Sequence, residues 1–128
     1  MSNLLEWGNV ADTGMVVQCE SGEWHVEPSG GLLWVLLERL DDSKNRFLGL
    51  LPLGSDGTIY MQARRQSEGL YDLAFQEGQL GCRHVSRKAV PHEKAHEILL
   101  AWALGRRVWR DLCYWVPEAP PLTASAPE

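Results

Sequence analysis

Two stretches between Thr58 and Gln76 alternate with a period of two, and this more than anything limits what the chain can fold into. From Thr58 to Arg64, Ile59, Met61 and Ala63 fall on one side and Tyr60, Gln62 and Arg64 on the other. From Leu70 to Gln76, Tyr71, Leu73 and Phe75 share a side. A period of two belongs to a half-buried strand. Turn-forming residues bound each run: Gly54-Ser55-Asp56-Gly57 before the first, Ser67-Glu68-Gly69 between them, Glu77-Gly78-Gln79 after the second. Leu80 to Arg87 follows as a third strand, which gives an antiparallel meander. The period then changes. Over residues 91–104, Ala95, Ile98, Leu99, Trp102 and Ala103 form a helical stripe. Pro91 suits the first helical position, Gly105 a C-terminal stop, and Arg106 and Arg107 the negative end of the dipole. The expected class is α+β: an antiparallel β-meander sheet packed by a C-terminal helix at 91–104.

Upstream the reading is less determined. Met15–Cys19 and Trp24–Val26 read as short strands around Glu20-Ser21-Gly22, and Pro28-Ser29-Gly30-Gly31 breaks the chain. Leu32–Leu40 is either a buried helix capped by Ser29 or a strand turning at Asp41–Asn45 into Arg46–Leu51. The polar loop between two apolar runs favours the hairpin. Val108–Val116 is a helical turn or a last strand, with Trp109, Leu112 and Trp115 packing the helix end onto the sheet. A length of 128 residues fits one domain, expected over residues 1–116. Residues 117–128 hold four prolines and no aromatic residue, and are expected to be a flexible tail.

Charge and cysteine usage narrow the function. Residues 1–42 carry eight acidic side chains against Arg39 alone, a net of seven negative charges, whereas the remainder is slightly basic. An acidic surface in the N-terminal third would steer a basic partner or simply keep the chain solvated. Overall acidity disfavours nucleic acid. The longest apolar run, Leu32–Leu37, is far short of the roughly 20 residues of a membrane span. The N-terminal residues lack a signal-peptide pattern, so a cytoplasmic location is expected. Cys19, Cys82 and Cys113 are odd in number and widely spaced, without a C-x-x-C pair, and are expected to be buried free thiols.

His92-Glu93-Lys94-Ala95-His96 spells H-E-x-x-H, in which two histidines on one helix face bind zinc and the Glu activates a bound water. The setting argues against that chemistry. Pro91 places both histidines in the first helical turns, Lys94 puts a positive charge beside the cation, and Glu97-Ile98-Leu99-Leu100 replaces the extended form with a third His. The string is expected to be a solvated first turn with Glu93 at the positive end of the dipole. Neither a metal nor another cofactor is expected. A small zinc hydrolase with His92 and His96 as ligands and Glu93 as base is the alternative; a scaffold or adaptor domain is the third reading.

Of the six tryptophans, Trp34, Trp102, Trp109 and Trp115 read as core or edge packing, while Trp7 and Trp24 lie among acidic residues as candidate interface anchors. The run of Thr58–Ala63, Gly69–Gly78, His84, Trp102, Gly105, Trp109-Arg110 and Trp115 resembles small bacterial immunity proteins encoded beside secreted toxins in polymorphic-toxin and type VI secretion systems. Ala74-Phe75 departs from the acidic-aromatic pair expected there. The resemblance implies a protein that neutralises a cognate toxin by binding it, without catalysis. A basic toxin domain acting in the cytosol, such as a nuclease or deaminase, is the partner that fits the acidic third. The candidate contact residues are Glu6, Trp7, Asp12, Glu20, Glu23, Trp24, Glu27, Asp41 and Asp42, with no nucleic acid and no membrane involved.

Overall fold

The alternating runs build the middle of one antiparallel sheet. A computed structural model describes residues 14–78 and 82–118 of the chain. Strands β1 (Met15–Cys19), β2 (Trp24–Val26), β3 (Phe47–Pro52), β4 (Ile59–Ser67), β5 (Leu70–Glu77), β6 (His84–Ser86), β7 (Val90–Pro91) and β8 (Trp115–Pro117) lie in the order β2-β1-β3-β4-β5-β6-β8, with β7 also paired to β5. All pairings are antiparallel. The β4–β5 hairpin turns at Gly69, whose φ of 73° is open to glycine at little steric cost. Of the third strand of the meander, expected over Leu80–Arg87, the described residues show His84–Ser86 as β6, while Leu80 and Gly81 lie outside the described residues.

The helix at the end of the meander, α2 (His92–Ala103), buries Ala95, Ile98, Leu99, Trp102 and Ala103, the stripe read from the sequence. Pro91 stands at its N-cap rather than inside its first turn, and is still paired with Leu70 in the sheet. The C-terminal stop is as expected: Gly105 has φ of 73°, and the Arg106 N–H donates back to the Ala101 carbonyl over 2.9 Å. Both readings of the stretch after α2 hold in part. Arg107–Asp111 is a 3₁₀ turn that sets Trp109 edge-on to Phe75, and Trp115 opens β8.

Leu32–Leu40 corrects the expectation of a strand. Gly30–Glu38 forms a helix, α1, and the strand beside β3 is β1 instead. The buried leucines of this stretch, Leu33, Leu36 and Leu37 in the helix and Leu40 just after it, are spaced by three, one and three, which is helical and not alternating. Ser29 has extended dihedrals, and its Oγ accepts the Leu32 N–H at 3.1 Å, the N-cap geometry. The polar loop is a helix-to-strand connection: one oxygen of Asp41 accepts the N–H groups of Ser43, Lys44 and Asn45 at 2.9–3.0 Å. Ser29→Ala is expected to cost about 1 kcal/mol, read as a lower urea midpoint with unchanged m-value.

Both helices cover one face of the sheet. Val17 and Cys19 from β1, Leu48 and Leu50 from β3, Met61 and Ala63 from β4, and Tyr71, Leu73 and Phe75 from β5 meet the α1 leucines and the α2 stripe in one core. Among the described residues no helix covers the opposite face and no helix is long and apolar enough to cross a membrane.

Candidate functional site

Strand register lines up the residues of the uncovered face. Trp24 lies across from Gln18, Gln18 from Gly49, Gly49 from Gln62, Gln62 from Ala74, and Ala74 from Val85. Two of these six are as small as residues can be, so the face sinks to either side of Gln62. The hollow beside Gly49 has a volume of about 400 Å³, and Phe47, Leu51, Tyr60 and Glu20 also line it. A second hollow, about 510 Å³, is lined by Arg64, Asp72, Ala74 and Val85. Gln62 and Arg83 border both. A Cβ added to Gly49 would meet nothing within 4 Å, so the space above that backbone is open.

Arg83 reaches over the sheet from just before β6. Its guanidinium donates to Gln62 Oε1 at 3.0 Å and to the Tyr60 hydroxyl at 3.4 Å, and pairs with Glu118 at 3.3 Å. It thus stands as a fixed positive charge, matched by Glu118, among amide, phenol and apolar groups. At the end of the face, Glu20 accepts the backbone N–H of Arg46 at 2.8 Å and its Nε–H at 2.9 Å. These bonds from Arg46 hold the Glu20 carboxyl down at about 2.

The nine contact residues expected from sequence fall into three groups. Glu6, Trp7 and Asp12 lie outside the described residues. Glu20, Glu23 and Asp41 have internal tasks. Glu23 takes a hydrogen bond from His25 at 2.8 Å and faces Arg39, and both lower its pKa. Asp41 is held low by the N–H groups of Asn45 and Ser43 in its own loop. Trp24, Glu27 and Asp42 are exposed, Trp24 by 60 %. Trp24 and Glu20 both belong to the uncovered face; Gln18, Gly49, Tyr60, Gln62 and Arg83 were not read from the sequence. A glycine inside the apolar run Phe47–Pro52 is the signal that points to them, since strands keep glycine where something else comes close.

The H-E-x-x-H string does structural work. His96 is only 5 % exposed and donates from Nε2 to the Gly30 carbonyl at 2.8 Å, tying α2 to the start of α1. The first turn is therefore packed on this side, against the expectation that it is solvated. The buried Tyr71 hydroxyl donates to the Leu37 carbonyl at 2.9 Å and so accepts from His92 Nδ1–H at 3.1 Å. Trp34 packs edge-on to both imidazoles. Glu93 points to solvent. Among the described residues, no three His, Cys, Asp or Glu side chains gather in a way that could hold a metal ion. Of the thiols, Cys19 is buried as expected and Cys113 is half-buried, its pKa pushed up to about 11 by burial, but Cys82 is exposed because it precedes the first residue of β6.

Burial lowers the pKa of His92 and His96 below the ordinary 6.5, with Glu38 and Glu93 acting in the opposite direction on His92. The unfolded chain then takes up protons before the folded one as pH falls. Stability is expected to be full above about pH 6.5 and to decline below it, and urea midpoints measured down to pH 5 check this. His96→Gln should flatten that decline. A second loss begins near pH 4.5 and runs to about 2, where Glu20 and the other depressed carboxylates are protonated.

The chain matches no family model, no curated protein and no solved structure.

Proposed function

We propose that this protein is a non-catalytic inhibitor of the immunity type, which holds a cognate toxin domain against the uncovered face of its sheet. The observation that carries the reading is the make-up of that face. It has an exposed Trp24, aromatic Phe47 and Tyr60 around an open Gly49, and the fixed polar groups Gln62 and Arg83 between two hollows. Aromatic anchors with a few fixed polar groups are what protein interfaces use. Glu20, Glu23 and Glu27 border β1 and β2, and Asp41 and Asp42 lie in the loop between α1 and β3, with Arg46, Arg39 and Arg65 paired to Glu20, Glu23 and Asp42. The negative charge left over, as at Glu27, would speed encounter with a basic domain.

The test is retention of a toxin-like partner by the tagged protein from its own cells, paired with a growth assay in which the two are co-expressed. Protection from toxicity that is lost in Gly49→Tyr, with association slowed by added salt, supports the reading. A partner held equally well by Gly49→Tyr, or stoichiometric zinc with no partner at all, would sink it.

A further inference from the structure

β2 ends the sheet with an edge that is ready to pair. The Cys19 N–H donates to the Glu23 carbonyl and the Glu27 N–H to the Met15 carbonyl, at 2.8 and 2.7 Å. In an antiparallel ladder the bonding direction alternates from residue to residue. Glu23, His25 and Glu27 therefore bond inwards to β1, and the backbone groups of Trp24 and Val26 point outwards. Among the described residues no strand pairs with them. Both side chains are exposed, Trp24 by 60 % and Val26 by 46 %. Natural edges are usually blunted by shortness, Lys, Pro or an inward charge, and of these β2 has only its shortness. The opposite edge strand, β8, ends in Pro117, which has no N–H to offer.

Charge decides between occupants. A second copy added antiparallel about His25 would bring the unmatched Glu27 of each copy, which leaves the strand with φ of 51°, close to Glu23 of the other, and like charges so close destabilise a strand pair. Glu27 has no ion pair among the described residues. We infer that the outer edge of β2 takes up an extended strand of the partner, with apolar side chains across from Trp24 and Val26 and a basic one beside the unmatched Glu27. This inference rests on the partner-binding reading and adds its geometry: backbone bonds at Trp24 and Val26 supply affinity, and the side chains that flank them supply selectivity. The added strand extends the sheet, so its apolar side chains continue the face that begins at Trp24.

The test uses the full chain and two synthetic peptides, acetyl-Lys-Val-Thr-Val-Lys-amide and the same peptide with Glu at both ends, at millimolar concentration. Amide exchange is followed by NMR. In the protein alone the Trp24 and Val26 amides are expected to exchange freely. The Lys peptide should shift their resonances and slow their exchange several-fold, and the Glu peptide should not. Val26→Pro removes an outward N–H without touching a bond to β1, and should abolish the effect. Protection of these amides in the protein alone, no response to the Lys peptide, or an equal response to both peptides would overturn the inference. With the cognate partner, a loss of binding in Gly49→Tyr but none in Val26→Pro would overturn the edge and keep the face. No loss in either would overturn both.

Discussion

Gly49→Tyr is expected to weaken partner binding by at least about 30-fold while leaving the fold as stable as before, or slightly more so. The two halves of that result have separate causes. Gly49 sits in the middle of β3 with ordinary strand dihedrals, since its φ is not positive, and a Cβ there meets nothing. Tyr is a favoured strand residue and Gly is a poor one, a difference of up to about 1 kcal/mol in favour of the variant. The phenol would stand in the hollow between Gln18 and Gln62. A residue at the centre of an interface is worth about 2 kcal/mol or more, and each 1.4 kcal/mol is tenfold in affinity. Thermal unfolding and a binding titration on one sample read both halves. Weakened binding together with a lowered Tm would mean misfolding instead of obstruction.

Leu36→Ala should cost about 2–5 kcal/mol and Val35→Ala within about 0.5 kcal/mol, although the two residues are neighbours. Leu36 is 1 % exposed among the core leucines, and its truncation removes buried surface and leaves a cavity. Val35 is 38 % exposed on the solvent side of α1. Against a total stability of about 5–15 kcal/mol, the first variant is near unfolding and the second near wild type. The pair also discriminates secondary structure. In a strand, Leu33, Val35 and Leu37 would share the buried face and Leu36 would point away, so the two costs would exchange places. Urea denaturation of both variants settles it.

That contrast shows where the sequence stopped being readable. Met61, Ala63, Leu73 and Phe75 alternate with polar or smaller neighbours, and α2 carries its stripe at helical spacing between Pro91 and Gly105, so both elements were legible. Leu32–Leu37 is apolar almost without interruption. A continuous run has no period, and only the core's need for Leu33, Leu36, Leu37 and Leu40 on one side decides for a helix. The uncovered face was hidden for another reason. Gln18, Gly49, Gln62 and Ala74 come from four strands, and nothing local to any of them announces the register that sets them in line. Net charge was legible, but its use was not. Asp41 and Glu20 counted towards an acidic surface, yet one caps its own loop and the other holds Arg46. The H-E-x-x-H string reads as a solvated turn, yet its i and i+4 spacing serves helix packing, with His92 and His96 set against Trp34, Tyr71 and Gly30.

The strand order carries a consequence for how the molecule assembles and breathes. β4 and β5 are the longest strands and are joined by a tight turn, so their pairing closes almost no loop. β1 meets β3 only across the whole of α1, and β6 meets β8 only across α2. Loop closure costs entropy that is repaid late, so the chain should condense from the central hairpin outwards, with the flanks zipping last. Strands with few buried contacts and solvent-exposed backbone bonds are generally held least firmly once folded. β2 and β8, each three residues long and joined to the sheet through a single neighbour, are then expected to open before the central strands. The tryptophan offered to a partner therefore sits on one of the two lightly anchored margins of the sheet, and capture of a partner strand would fasten it.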